Sequence, residues 1–136
     1  MCLESLETYP NVPEEGYGWK TFVLEKDDTL SAPFFPKCRF PPDQWKQDDC
    51  EENRWTDVGY KCYPSGFHLF LRKEDADRFA STMHQSLVTS VRKVQYRTVV
   101  ASGPQFIGWG YGRGRCVVAR EIRVLPEETH HVPENF

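Results

Sequence analysis

Residues 65–80 read SGFHLFLRKEDADRFA, and the spacing of their apolar side chains changes half-way. Phe67, Leu69 and Leu71 occupy every second position, which is the period of a β-strand. The apolar residues that follow lie three or four positions apart, as on one face of a helix. They are Ala76, Phe79, Ala80 and Met83. The stretch therefore predicts a strand over 66–71 and a helix over 73–85, with Phe67, Phe79 and Met83 in one core.

Four further segments have strand-like patterns. Residues 91–101 and 115–124 are long and rich in β-branched residues, and residues 18–25 and 30–35 are shorter versions. Several strands around one amphipathic helix are typical of an α+β fold. We expect a mostly antiparallel sheet of four to six strands with one main helix packed on one face.

Length and charge divide the chain into three parts. A chain of 136 residues suits one domain, which we assign to residues 17–125. Residues 1–16 carry four acidic side chains and no basic one, and we expect a loosely attached acidic arm. Residues 126–136 are expected to form a polar tail.

One part of the domain lacks a regular pattern. Residues 37–63 contain Pro41 and Pro42, which are incompatible with the interior of a helix or sheet. The segment is predicted to be a long irregular loop anchored by two buried tryptophans, Trp45 and Trp55. Loops of this length in compact domains are either functional or mobile.

The sequence has no pattern that directs a chain to a membrane or out of the cell. No run approaches the roughly 18 consecutive apolar residues of a membrane helix. The first residues lack the charged-then-apolar order of a secretion signal. We therefore expect a cytoplasmic protein without a membrane partner.

The cysteines argue against an oxidised scaffold. There are five, an odd number, and no Cys-x-x-Cys occurs, so reduced thiols and no metal are expected. Cys38, Cys50 and Cys62 are twelve residues apart, and His68 follows six residues later. A zinc site at these four residues is the alternative, although the closely spaced ligand pairs of most zinc sites are missing.

Positive charge is concentrated near the C-terminus. Residues 89–124 carry seven basic side chains against one acid, Glu121, in a chain whose net charge is −3. Such a surface can bind an anionic partner, so single-stranded nucleic-acid binding by the 91–101 and 115–124 strands is one hypothesis. Internal pairing of these bases with acids elsewhere in the chain is the alternative.

The segment between those two strands is the best candidate for a partner contact. In residues 108–115 four glycines alternate with two aromatic residues and two arginines. Tryptophan and arginine are enriched among the residues that dominate binding energies. We predict a partner-binding surface formed by Trp109, Tyr111, Arg113 and Arg115, with a flexible hairpin connection as the alternative.

Two residues are candidates for catalysis. His68 interrupts an apolar strand, and histidine can act as an acid, a base or a ligand near neutral pH. Glu121 lies inside a strand, where a carboxylate needs a partner because its desolvation is costly. The alternatives are a structural hydrogen bond for His68 and a salt bridge with Arg97 or Arg123 for Glu121.

The order of these segments resembles that of small phage and prophage proteins. Their shared centre is a Gly-Phe-His-aromatic strand followed by a helix, here residues 66–70 and Ala76, and they end in a strand with a small residue and an acid, here 117–124. The resemblance covers roughly residues 16–125, with residues 37–63 and the tail outside it, and implies a mobile-element origin. We therefore expect a non-enzymatic interaction module without a cofactor, a phage-type protein that binds and inhibits a host protein.

The same centre is also similar to that of ADP-ribosyltransferases. Residues 66–70 fit the family's strand, and Ala76, Phe79 and Ala80 fit its helix. The resemblance implies an enzyme that uses NAD, in which Glu121 supports attack at the nicotinamide ribose. His68 stands where the family usually has an aromatic residue, and no Ser-Thr-Ser occurs. This enzyme is the alternative function.

Overall fold

Nine strands and one helix make up the part of the chain that the computed structural model describes, residues 2–9, 11–33, 35–59 and 61–127. In chain order they are β1 (Glu15–Leu24), β2 (Leu30–Ala32), β3 (Phe35–Phe40), β4 (Trp45–Gln47), β5 (Asn53–Trp55), β6 (Cys62–Pro64), β7 (Phe67–Phe70), α1 (Lys73–Ser81), β8 (Thr89–Gly108) and β9 (Gly112–Val124). None of the helical segments described is long and apolar enough to cross a membrane.

The main sheet has seven strands, and every ladder among the described residues is antiparallel. Strand β1 pairs with β8 along one edge and with β7 and β2 along the other. Strand β9 pairs with β8 along one edge and with β7 and β4 along the other. The strands β1, β7, β9 and β8 therefore form a closed circuit. The prediction of a mostly antiparallel sheet is confirmed, with one strand more than the four to six expected.

The strand and helix of the opening stretch are both present. Strand β7 is buried at every position, and α1 follows after two residues. The helix ends at Ser81 instead of residue 85, and Thr82 turns its hydroxyl back to the carbonyl oxygen of Phe79 at 2.7 Å. With one nine-residue helix, the fold is richer in sheet than an α+β fold with a main helix.

The buried residues of the described part of the chain form three clusters. The largest has residues on all four strands of the circuit and includes Phe22, Phe67 and Leu69. A second cluster packs α1 on the sheet through Phe70 and Phe79, whose ring centroids are 5.9 Å apart. The expectation of one core for Phe67, Phe79 and Met83 is therefore wrong, because neighbouring residues of β7 point to opposite faces and Phe70 contacts the helix.

The β8–β9 hairpin extends beyond the predicted strands, 91–101 and 115–124, at both ends of β8. Along β8 the alternation changes phase at Thr98, which has a φ of 63°. Before it Val94 and Tyr96 face the largest cluster, and after it Val99 does so. The pairing of β8 with β9 then shifts register between Val99 and Ala101. Such a shift is typical of a β-bulge, which re-aims the side chains that follow.

The N-terminal residues form hydrogen bonds to β8 beyond the point where its pairing with β1 ends. The amides of Glu4 and Glu7 donate to the carbonyl oxygens of Pro104 and Ser102 in β8, both at 2.9 Å. Leu3 is fully buried in a third cluster with Tyr63. The described part of the predicted arm is therefore attached to the sheet, not loose.

The region predicted as an irregular loop, residues 37–63, contains part of β3, all of β4 and β5, and the start of β6. Trp45 is partly buried beneath the guanidinium of Arg97, whereas Trp55 is 60% exposed. The prediction of two buried tryptophans is therefore wrong for Trp55. Of the predicted tail 126–136, residues 128–136 lie outside the described part of the chain.

Candidate functional site

The tip of the β8–β9 hairpin is a tight turn at residues 109–111. Gly110 and Gly112 have φ values of 87° and 72°, a conformation that side-chain-bearing residues adopt at a cost. The amide of Tyr111 donates to the carbonyl oxygen of Gly108 at 3.1 Å. Two of the glycines that mark this segment in the sequence are thus needed to close the turn.

Three aromatic side chains stand exposed at this turn, and we call Phe106, Trp109 and Tyr111 the aromatic tip. Trp109 is 93% exposed, and the other two are exposed to a smaller extent. The rings of Phe106 and Trp109 meet edge to face, with centroids 5.7 Å apart. The sequence prediction missed Phe106, although its position two residues before Gly108 was a usable signal.

The aromatic tip is fixed to the end of α1. Ile107 is buried in the same cluster as Phe79. A side chain at Gly108 would collide with Thr82, since a Cβ there would lie 2.5 Å from its methyl carbon. The hydroxyl of Ser81 also lies 3.3 Å from that of Tyr111. The base of the tip is therefore packed against the end of α1.

The two arginines of the predicted surface face the N-terminal residues. Arg113 forms an ion pair with Glu4, and the guanidinium of Arg115 lies 5.2 Å from the ring centroid of Tyr9. The structure thus brings Trp109 and Tyr111 to one exposed surface and engages Arg113 and Arg115 beside it.

Most of the remaining positive charge in β8 and β9 is used inside the molecule. Arg97 donates to the Glu121 carboxylate at 2.8 Å, and Arg123 donates to the side-chain oxygen of Gln95 at 2.6 Å. Arg120 donates to the carbonyl oxygens of Cys50 and Ser65. These arginines therefore bind acceptors within the molecule, as the alternative to nucleic-acid binding predicts.

His68 is buried in a hydrogen-bonded group. Its Nε2 lies 3.0 Å from the hydroxyl of Tyr63, which accepts the amide of Leu3 at 2.9 Å. Burial, with the nearby Lys20 ammonium, lowers the pKa of His68 to about 3. The ring is neutral at physiological pH, which fits the structural alternative for this residue.

Glu121 forms a salt bridge with Arg97, which was the alternative to a catalytic role. The hydrogen bond from Arg97 lowers the pKa of the Glu121 carboxyl, and its side chain is partly exposed. The cavity beside His68 is not bordered by Glu121. The two catalytic candidates thus have separate partners and do not share that cavity.

Three of the four zinc candidates border this same cavity, which has a volume of about 490 Å³. They are Cys38, Cys50 and His68, whereas Cys62 lies exposed in β6. Within the described ranges no three His, Cys, Asp or Glu side chains come close enough to hold a metal ion.

Comparisons of the chain with protein-family models, with curated proteins and with solved structures give no match.

Proposed function

We propose that this protein is a non-enzymatic interaction module that binds another protein through its aromatic tip. The observation that carries the proposal is Trp109, 93% exposed at the end of a hairpin that Ile107 and Gly108 fix against the helix. A large aromatic side chain left in water on a fixed support gains free energy when a partner covers it.

The size of that gain is large enough to determine binding. Covering a tryptophan removes about 150–250 Å² from water, which corresponds to about 5 kcal/mol at roughly 25 cal/mol per Å². Association and side-chain ordering oppose this term. The second cost is small here, because Trp109 already lies against Phe106.

Charge favours a protein partner over a nucleic acid. A nucleic-acid surface needs basic groups that can reach phosphates, whereas Arg97, Arg113 and Arg123 are engaged with Glu121, Glu4 and Gln95. The aromatic tip instead suits an apolar pocket on a protein. The resemblance to phage proteins supports a host protein as this partner, which the module blocks by occupying that pocket.

A capture experiment with two matched baits tests the proposal. The wild type and the Trp109→Ala and Trp55→Ala variants are each immobilised and exposed to bacterial lysate, with and without nuclease. We expect one protein that survives nuclease and is retained by the wild type and by Trp55→Ala, whose lost tryptophan is also exposed, but not by Trp109→Ala. Retention by Trp109→Ala, or loss with nuclease, would contradict the proposal.

A further inference from the structure

The cavity next to His68 has a buried floor and an exposed rim. Lys20 and His68 form the floor, with side chains 5% and 7% exposed. Lys37 and Cys50 lie at the rim and are exposed. Its volume of about 490 Å³ is within the range of about 300–1,000 Å³ typical of small-molecule sites.

Lys20 brings a positive charge into this cavity, and no carboxylate of the described residues pairs with it. Its ammonium donates one hydrogen bond, to the carbonyl oxygen of His68 at 2.7 Å. Among the residues described, no acid lies within ion-pair distance of Lys20. An ammonium has three N–H groups to donate, and a buried charge is costly unless it is paired.

The one acid among the described residues that border the cavity, Asp48, is already engaged. One carboxylate oxygen of Asp48 accepts the amide of Cys50 at 2.9 Å, and the other accepts the hydroxyl of Ser65 at 2.8 Å. The cavity wall also carries Lys37 and Arg54, so the cationic side chains around it outnumber the acidic one. A bound anion would supply the counter-charge that none of the described acids gives to Lys20.

We propose that this cavity binds a small organic anion, an apolar body with one carboxylate or phosphate group, which pairs with the ammonium of Lys20. The wall beside Lys20 is formed in part by Phe67, Ala32 and Pro33, and these residues contact the apolar body. An inorganic ion would leave that wall uncovered. The site is independent of the aromatic tip and of the proposed function.

The ionisation of Lys20 agrees with this assignment. Burial lowers its pKa from 10.5 to about 8, so the ammonium form predominates at neutral pH although water does not solvate it. An anion placed beside it restores the stabilisation that burial removes.

Titration calorimetry of the wild type with four probes tests the site. They are benzoate, phenyl phosphate, inorganic phosphate and the neutral benzyl alcohol. We expect saturable binding of benzoate or phenyl phosphate, with the tighter of the two identifying the acidic group. Inorganic phosphate and benzyl alcohol should bind at least about tenfold more weakly. Inorganic phosphate lacks the apolar body, and benzyl alcohol lacks the negative charge.

Two variants connect that binding to Lys20. Lys20→Met keeps the apolar stem and removes the charge, and it should weaken the better probe at least about tenfold. Lys61→Met removes an exposed lysine that does not border the cavity, and it should bind like the wild type.

The proposal is overturned if benzyl alcohol binds as tightly as benzoate and phenyl phosphate, or if neither anion binds. Unchanged binding by folded Lys20→Met overturns it as well. The four-probe comparison in the wild type decides the question even if Lys20→Met does not fold.

Discussion

His68 is a histidine that folding keeps neutral. It is buried beside Tyr63 and Lys20, and its pKa falls from 6.5 to about 3. Below pH 6.5 the unfolded chain binds a proton at His68 that the folded chain does not bind. The free energy of unfolding therefore falls as the pH drops from 6.5 toward 3.

Between pH 6 and pH 5 we expect His68 to lower the free energy of unfolding by about 1 kcal/mol, close to the full slope of about 1.4 kcal/mol per pH unit. Urea unfolding of the wild type and of His68→Gln at both pH values measures it. Glutamine does not titrate and keeps an acceptor for the Tyr63 hydroxyl, so its loss over this interval should be smaller. Equal losses in the two proteins would show that His68 does not cause the effect.

Phe79 attaches the helix to the sheet. It is buried against Phe70 in the cluster that also contains Ala76 and Ile107. Replacing it with alanine leaves a cavity in that cluster, and we expect Phe79→Ala to reduce the free energy of unfolding by about 3–5 kcal/mol. Thermal or urea unfolding measures the loss. A variant as stable as the wild type would mean that α1 does not depend on this contact.

At the scale of elements, the N-terminal segment and β8 approach each other at a glycine. A Cβ on Gly103 would lie 2.0 Å from the carbonyl oxygen of Ser5, and that oxygen belongs to the backbone. Any side chain at this position must therefore push the segment away from β8. The movement would expose Leu3 and break the hydrogen bonds that Glu4 and Glu7 donate.

We accordingly expect Gly103→Ala to release the N-terminal segment and to cost about 2 kcal/mol, the value of burying one leucine. Hydrogen exchange should show protected amides at Glu4 and Glu7 in the wild type and unprotected ones in the variant. Leu3→Ala, which removes the same burial, should reproduce the change. Protection that persists in Gly103→Ala would contradict this view of the segment.

The elements show where sequence patterns are sufficient and where they are not. The strand of residues 66–71 and the helix start were predictable, because the apolar period changes sharply at Leu71. The positive φ of Thr98 and the register shift that follows it between Val99 and Ala101 were not, because nothing in these residue types indicates either. The attachment of Leu3 depends on β8, about a hundred residues away, and local periodicity contains no information about such a contact.

The candidate site was also predictable only in part, because local patterns do not show contacts between distant segments. Glycines at 108, 110 and 112 indicate a turn, and the aromatic residues between them indicate a surface. Which side chains are exposed depends on their neighbours: Arg113 and Arg115 contact Glu4 and Tyr9. The cavity around Lys20 was missed, because β1, β7 and the residues after β2 border it together.

At the scale of the whole molecule, β1, β7, β9 and β8 form a closed circuit, and the largest buried cluster has residues on all four strands. All five cysteines are free thiols, so no covalent crosslink closes that circuit. We expect the melting temperature to be the same with and without a strong chelator, and with and without a reductant. A large decrease with chelator would instead support the zinc alternative at Cys38, Cys50, Cys62 and His68.

The central proposal is that the aromatic tip binds a protein partner. Its most direct test is the affinity of the purified captured protein for the wild type and for Trp109→Ala, measured by titration calorimetry beside the melting temperature of each. We predict binding weaker by at least about 2 kcal/mol, roughly thirtyfold in Kd. The melting temperature should be nearly unchanged, because Trp109 is 93% exposed. An unchanged Kd in a folded Trp109→Ala variant would contradict the account.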